Sequence, residues 1–274
     1  MRAAVLGSPI AHSLSPHLHR AAYRWLGLDW TYDAIECTQE QLPELVRGLD
    51  DSWAGLSLTM PLKAAVLPLL DEVTPGARLV GAANTVVRRD GRLYGSNTDI
   101  PGIAAALREH GSAPVPGIVV AVLGAGATAR SALAGLAELG VLEVDVYARD
   151  PRARAELGEL GAALGVAVAG FDWSIAADGL RRPLVVSTVP VGIADHLVLP
   201  AAGPVGTLFD VLYAPWPTSL AAHWTARGGR VVGGLDLLLH QAALQVQAMT
   251  GTAKSVESLV QVMRPAGVAA LGAR

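Results

Sequence analysis

Ile118-Val-Val-Ala-Val-Leu-Gly-Ala-Gly-Ala-Thr-Ala-Arg130 is the stretch on which the fold turns. Its first six residues are all apolar and read as a strand buried on both faces. Gly124-Ala-Gly126 follows at once, and an Ala/Leu-rich helical segment runs from there to Leu139. Strand, glycine turn and helix in that order form the pattern of a dinucleotide loop. Gly124 permits the tight turn and Gly126 lets a pyrophosphate approach the backbone. The helix N-terminus adds unpaired amides and a positive dipole end. The third glycine of the usual fingerprint is missing, with Ala127 or Ala129 in its place. A close-packed turn without ligand is the competing reading of the same residues.

Downstream, strands are predicted at Val141–Tyr147, Val166–Ala169, Leu184–Ser187, Gly206–Val211 and Arg230–Val232. Helical patterns at Pro151–Leu164 and Thr218–Arg227 lie among them, which makes a Rossmann-like βαβ series. The end of its second strand bears on the cofactor. An NAD site places Asp or Glu there to hold the ribose hydroxyls. Here the residues are Tyr147-Ala-Arg149, with Arg152 and Arg154 close behind. Guanidinium groups bind a 2′-phosphate bidentately, whereas a carboxylate would repel it, so NADP is the expected cofactor. Asp145 and Asp150 keep an NAD site open as an alternative, and Arg152 and Arg154 also read as a solvated helix start.

Upstream, predicted strands at Arg2–Leu6, Trp30–Cys37 and Trp53–Thr59 alternate with predicted helices. The first helix opens at Ser15 as N-cap with Pro16 behind it. The second opens at a capping box in Thr38-Gln-Glu-Gln41, and the third spans Pro61–Leu70. Alternation of this kind implies parallel pairing through right-handed crossovers. Thr85–Arg89 and Arg92–Gly95 flank Asp90-Gly91, a two-residue hairpin signal. The hairpin brings Asn84 at its entry and Asp99 beyond its exit back toward one place. A helix from Ile100 to His110 follows, for which Asp99 is also a plausible N-cap. Gly111–Gly117 breaks the chain before the glycine loop, and two helices close it, Gly234 to about Met249 and Ala253 to about Met263. The tail after Pro265 is expected to fray. Trp25, Trp30 and Trp53 are expected in the core.

Bulk properties narrow the function. Half of the 274 residues are hydrophobic and only 16% are charged, with a net charge of −3. A nucleic-acid binder would need a basic face, which this balance does not supply. Cys37 is the only cysteine, so an intrachain disulfide and a multi-thiolate metal site are excluded. The N-terminus lacks the apolar core of a signal peptide, and no uninterrupted run of about 18 apolar residues exists. A cytoplasmic protein without membrane partners is expected. One ammonium (Lys63), one carboxylate (Asp99) and one amide (Asn84) stand among hydroxyls between Gly55 and Asp99. That set suits a small polyhydroxylated substrate, although Lys63 also reads as an exposed helix lysine.

Seven motifs in order resemble the shikimate dehydrogenase family. They are Gly7-Ser-Pro-Ile-Ala-His-Ser-Leu-Ser-Pro16, Leu58-Thr-Met-Pro-Leu-Lys63, Gly81-Ala-Ala-Asn-Thr85, Gly95-Ser-Asn-Thr-Asp99, the Gly124 loop, Asp210-Val-Leu-Tyr-Ala-Pro215 and Gly234-Leu-Asp-Leu-Leu-Leu-His-Gln241. The resemblance implies an α/β protein of two domains. A substrate domain over residues 1–99, completed by helices in 234–274, would face a Rossmann-type NADP domain over 100–233. It implies reversible reduction of 3-dehydroshikimate to shikimate. Lys63 would be the acid/base beside Asp99, with no metal needed because a protonated lysine is the electrophile. Ser13 and Ser15 would hold the substrate carboxylate; Thr59, Asn84, Asp99, Tyr213 and Gln241 would hold carboxylate or ring hydroxyls. Gly124, Ala125, Gly126, Ala127, Thr128, Arg149, Arg152, Arg154, Thr188, Val211 and Gly234 would contact the cofactor.

The sequence departs from the family pattern at Ser187-Thr-Val-Pro190, at Leu237 for an expected Met and at Ala148 for an expected Asn. His12 and His17 read as structural. Hinges are expected near Asp99–Gly102 and Val232–Gly234, and the chain is expected as a monomer or homodimer. A quinate/shikimate or aminoshikimate dehydrogenase shares the Lys/Asp chemistry, and a non-catalytic nucleotide-binding homologue shares the fold.

Overall fold

A computed structural model describes residues 1–199 and 201–273. The chain forms two compact units, one of Met1–Thr98 with Leu238 to the C-terminus, the other Asp99–Leu237.

The first unit holds β1 (Arg2–Gly7), α1 (Ser15–Trp25), β2 (Thr31–Glu36), α2 (Leu42–Arg47), β3 (Trp53–Leu58), α3 (Leu62–Ala65), β4 (Glu72–Val73), α4 (Pro75–Val80), β5 (Thr85–Arg89) and β6 (Arg92–Ser96). They build one sheet in the order β2-β1-β3-β5-β6-β4. β1 lies parallel to β2 and β3, as the strand–helix alternation requires. The β5–β6 hairpin turns at Asp90 and Gly91, both with positive φ (52° and 74°), which matches the twist of the paired strands. Leu6, Leu56, Leu58, Leu62 and Val86 lie in the core beneath this sheet.

The second unit runs through α5 (Asp99–Glu109), β7 (Val119–Leu123), α6 (Ala127–Glu138), β8 (Glu143–Ala148), α7 (Pro151–Leu164), β9 (Ala167–Asp172), α8 (Ala176–Gly179), β10 (Leu184–Ser187), β11 (Thr207–Asp210), α9 (Ser219–Ala226) and β12 (Arg230–Gly233). Its sheet order is β12-β11-β10-β7-β8-β9, and every neighbouring pair is parallel. This is the doubly wound dinucleotide-binding order, which reverses direction between β7 and β10. α10 (Gly234–Thr250) and α11 (Val256–Gly272) end the chain.

Several local expectations need correction. Pro61–Leu70 is not one helix: α3 has four residues and a 3₁₀ turn covers Leu67–Leu69. Pro68 has no N–H to continue the ladder. Ser15 is inside α1 and not its cap; Leu14 precedes the helix, and the Ser13 hydroxyl accepts the Ser15 N–H at 3.3 Å. Only half of the Thr38 capping box forms, with Gln41 Oε1 accepting the Thr38 N–H at 2.9 Å, and α2 starts after it. α11 continues through Pro265 to Gly272. Packing against α1, with Met263 and Gly267 buried, holds a turn that intrinsic propensity would release. Trp25 is 43% exposed, with the Lys254 ammonium 5.3 Å from its ring centroid, so it is not a core residue. Trp224 fills the core instead. β4 and α4 carry no strong periodicity and went unanticipated.

Candidate active site

In the second unit the register explains the cofactor side. Leu123 pairs with Ser187, Ser187 with Asp210, and Asp210 with Gly233. Gly124, Thr188, Val211 and Gly234 therefore step off four adjacent strands in a row, at the carboxyl ends where ligands bind such sheets. Gly124 has φ +106°, and a Cβ there would stand 2.6 Å from Thr188 Oγ1. Thr188 in turn donates its hydroxyl to the Leu123 carbonyl at 2.9 Å. Only glycine fits that turn. Gly126 differs: its φ is an ordinary −82°, and a Cβ would meet nothing within 4 Å.

The space before Gly126 is thus open to a ligand. α6 begins just behind it at Ala127 and Thr128 with no side chain capping its amides. Uncapped amides at an open helix start suit a pyrophosphate, with Ala125 as the link across the turn. Ala129 is fully buried, which explains the missing third glycine: a methyl fits the helix–strand contact here.

The arginines divide by role. Arg149 is exposed directly after β8. Arg152 lies 3.3 Å from Glu156 and is largely solvated. Arg154 donates to the Ala148 carbonyl and to Asp172 Oδ2 at 3.2 Å, so its guanidinium ties down the loop that displays Arg149. The two carboxylates that kept an NAD reading open are engaged elsewhere. Asp145 is buried against Arg182 at 2.6 Å, and Asp150 caps α7 by accepting the Arg152 N–H at 2.9 Å. An exposed arginine at this strand end fits a 2′-phosphate.

In the first unit, the Ser8–Ser15 loop leaves β1 beside the Thr59–Lys63 segment that leaves β3. Thr59 N–H donates to the Leu6 carbonyl at 2.9 Å and Ser8 N–H to the Met60 carbonyl at 3.0 Å. A Cβ on Gly7 would collide with the Thr59 methyl. Glu36 anchors the loop's start, accepting the Ser8 hydroxyl at 2.5 Å and the Ile10 N–H at 2.9 Å. His19 anchors its end through the Ser15 carbonyl, 3.0 Å from Nδ1. Half-buried Ser13 and buried Ser15 lie between these anchors. Ala83 N–H donates to the Lys63 carbonyl at 2.8 Å and Leu58 N–H to the Asn84 carbonyl at 2.8 Å, so Lys63 and Asn84 flank the same strand end. The Asn84 amide lies 3.4 Å from Gln241 Oε1 on α10.

Ser13, Ser15, Thr59, Lys63, Asn84 and Gln241 thus belong to the first unit, and Asp99 and Tyr213 to the second. Asp99 is buried and opens α5, where the helix dipole favours a carboxylate. It follows Thr98 directly, whose N–H donates to Asn84 Oδ1 at 2.8 Å. Tyr213 sits after β11 on a segment held by Asp210, which accepts the Thr218 hydroxyl at 2.7 Å and the Leu212 N–H at 3.2 Å. Burial pushes the Asp210 carboxyl up, against the opposing pull of the Thr218 hydroxyl. His12 and His17 are exposed. Sequence reasoning missed Thr98 and Gln245; the Gln241/Gln245 pair, one helical turn apart, was the available signal. Among the described residues, no helix is long and apolar enough to cross a membrane.

Residues 5–86 match the family described as the shikimate dehydrogenase substrate binding domain. A curated shikimate dehydrogenase (NADP(+)) from Citrifermentans bemidjiense is 40% identical over 262 residues, covering 91% of this chain and 89% of its own. The crystal structure of Mycobacterium tuberculosis shikimate dehydrogenase is 43% identical, with a TM-score of 0.85 over 96% of this chain and 99% of that one. A shikimate 5-dehydrogenase from Thermus thermophilus, solved in complex with NADP(H) and shikimate, is 36% identical at a TM-score of 0.81, over 97% and 99% of the two chains. Identity of this extent over nearly the full length, on the same doubly wound sheet, means that the chain belongs to the shikimate dehydrogenase family.

Proposed function

We propose that this chain is an NADP-dependent oxidoreductase that reversibly reduces 3-dehydroshikimate to shikimate on the route to aromatic amino acids. The observation that carries the reading is the placement of Lys63 and Asn84 beside the end of one strand, where Ala83 N–H bonds the Lys63 carbonyl and Leu58 N–H the Asn84 carbonyl. Reduction of a ketone needs a proton for the oxygen that gains charge. Lys63 supplies that proton to the carbonyl oxygen as the C–H bond forms, and recovers it from the hydroxyl in the reverse direction. Asn84 and Gln241 hold a ring oxygen, Ser13 and Ser15 the carboxylate, and Thr59, Asp99 and Tyr213 the remaining polar groups. Bound NADPH would supply the hydride, with Arg149 holding its 2′-phosphate and the amides behind Gly126 its pyrophosphate.

Purified protein given shikimate and NADP should show growing absorbance at the reduced-nicotinamide band. Absence of turnover would sink the assignment, and faster turnover of quinate with NAD would point to the catabolic relative. Lys63→Ala should lower kcat at least about 10²-fold, the low end for loss of a general acid, with shikimate affinity largely kept. A kcat near the parent value would remove Lys63 from the acid/base role. A cytoplasmic setting and a monomeric or homodimeric state complete this reading, the latter measurable by light scattering.

A further inference from the structure

A chain of buried polar groups runs beneath Asn84, and two backbone groups fix its direction. Thr98 N–H can only donate, so the Asn84 atom 2.8 Å away is Oδ1. The Asn84 carbonyl can only accept, so the Gln245 atom 3.2 Å from it is Nε2. The bonds that run from Gln245 to Tyr32 then have one possible sense each. Gln245 turns Oε1 toward Ser57, whose hydroxyl must donate to it at 2.9 Å. The Ser57 oxygen in turn accepts the Tyr32 hydroxyl at 2.6 Å. At the other end, Gln245 Nε2 donates to Thr85 Oγ1 at 3.2 Å, and Thr85 passes its own proton to Asn84 Oδ1 at 2.9 Å, the nearer of two acceptors, the other being the Thr98 hydroxyl at 3.4 Å. Tyr32, Ser57, Gln245, Asn84 and Thr85 are all at most 3% exposed, so no bulk water can substitute for a missing donor.

We infer that Tyr32, Ser57 and Gln245 are positioning residues that reinforce the polarity the Thr98 N–H sets on Asn84, so that this amide presents N–H to the substrate and selects an acceptor oxygen there. The inference rests on the shikimate reading above. With Oδ1 held by Thr85 and by both the N–H and the hydroxyl of Thr98, the donor end Nδ2 is directed toward Gln241. A rotated amide would set Nδ2 against the Thr98 N–H, which can only donate, and leave Oδ1 facing the substrate. Loss of the Gln245 donor lets the Thr85 oxygen accept from a rotated amide, and the preference for the observed Asn84 orientation weakens.

The test compares Gln245→Met, Ser57→Ala and Tyr32→Phe with the parent in shikimate turnover with NADP. Gln245→Met conserves volume, so a packing role predicts that it is the mildest of the three. Polarity predicts the reverse: KM for shikimate should rise about tenfold in Gln245→Met and about threefold in Ser57→Ala and Tyr32→Phe, as hydrogen bonds at growing distance from Asn84 are lost. KM for NADP should stay at the parent value in all three. A shikimate KM unchanged in Gln245→Met, or NADP and shikimate KM rising together, overturns the inference. If Gln245→Met does not fold, Tyr32→Phe, which keeps the ring, decides by the same criterion. A parent enzyme that turns over no shikimate overturns the functional assignment and this inference together, whereas an active parent with unmoved variants overturns this inference alone.

Discussion

His19 is fully buried on α1, its ring stacked on Tyr32 at 3.8 Å between centroids. Burial away from any counter-charge lowers its pKa to about 4, against the smaller opposing effect of the Ser15 carbonyl. The ring is therefore neutral near neutrality and donates Nδ1–H to that carbonyl. In the unfolded chain the same ring takes a proton at its ordinary value of 6.5. Above that pH both states are neutral and the group exerts no pull. As pH falls from 6.5 toward 4, the unfolded state alone gains a proton and stability is lost. The loss amounts to roughly 3 kcal/mol, at about 1.4 kcal/mol for each tenfold difference in proton affinity between the two states. His19→Gln should start less stable at pH 7 but lose less between pH 6.5 and 4 than the parent, as read from urea midpoints. Parallel profiles would remove His19 as the source. At the cofactor end, Arg149 stands exposed while Arg154 is tied to Asp172. Arg149→Ala should weaken NADP more than NAD in fluorescence titrations, by about tenfold for one lost charge-assisted pair. Equal losses would show that Arg149 does not read the phosphate.

At the scale of elements, the β7–α6 turn separates two kinds of glycine. Gly124 is required by the fold, since its φ of +106° and the nearby Thr188 oxygen leave no place for a methyl. Gly126 is not required by packing, since its Cβ would meet only open space, and in the proposed reading the pyrophosphate is what asks for glycine there. Gly124→Ala should cost about 1–3 kcal/mol of stability through backbone strain, lowering the melting temperature and NADP affinity together. Gly126→Ala should leave the melting temperature near the parent value and still weaken NADP. A Gly126→Ala protein that binds NADP normally would contradict the placement of the pyrophosphate there. The turn was legible because strand, Gly-x-Gly and helix are local signals. The Asp90-Gly91 hairpin was legible for the same reason, its two positive φ angles suiting Asp and Gly. α11 was not: the stop expected at Pro265 is a local preference, and packing against α1 overrides it.

At the scale of the whole molecule, the alternation of strands and helices was enough to expect parallel pairing among β1, β2 and β3 and a doubly wound half, because crossover handedness and periodicity are encoded along the chain. The strand ends carrying Lys63, Asn84, Gly124 and Arg149 could be named from motifs, since turn chemistry sits next to the strands it serves. What tertiary structure alone decided is which long-range partners complete each group. Sheet register sets Thr188 behind Gly124 and puts Val211 and Gly234 in the same row. Hydrogen bonds of large sequence separation join Asn84 to Gln241, Gln245 and Thr98, and Gln245 to Ser57 and Tyr32. The engagement of Asp145 by Arg182 likewise removed a carboxylate that the sequence left open as a ribose ligand. Local preferences are properties of adjacent residues and can be read in order. Which way a buried amide points depends on groups that meet only when distant strands and helices pack, and no spacing along the chain specifies that.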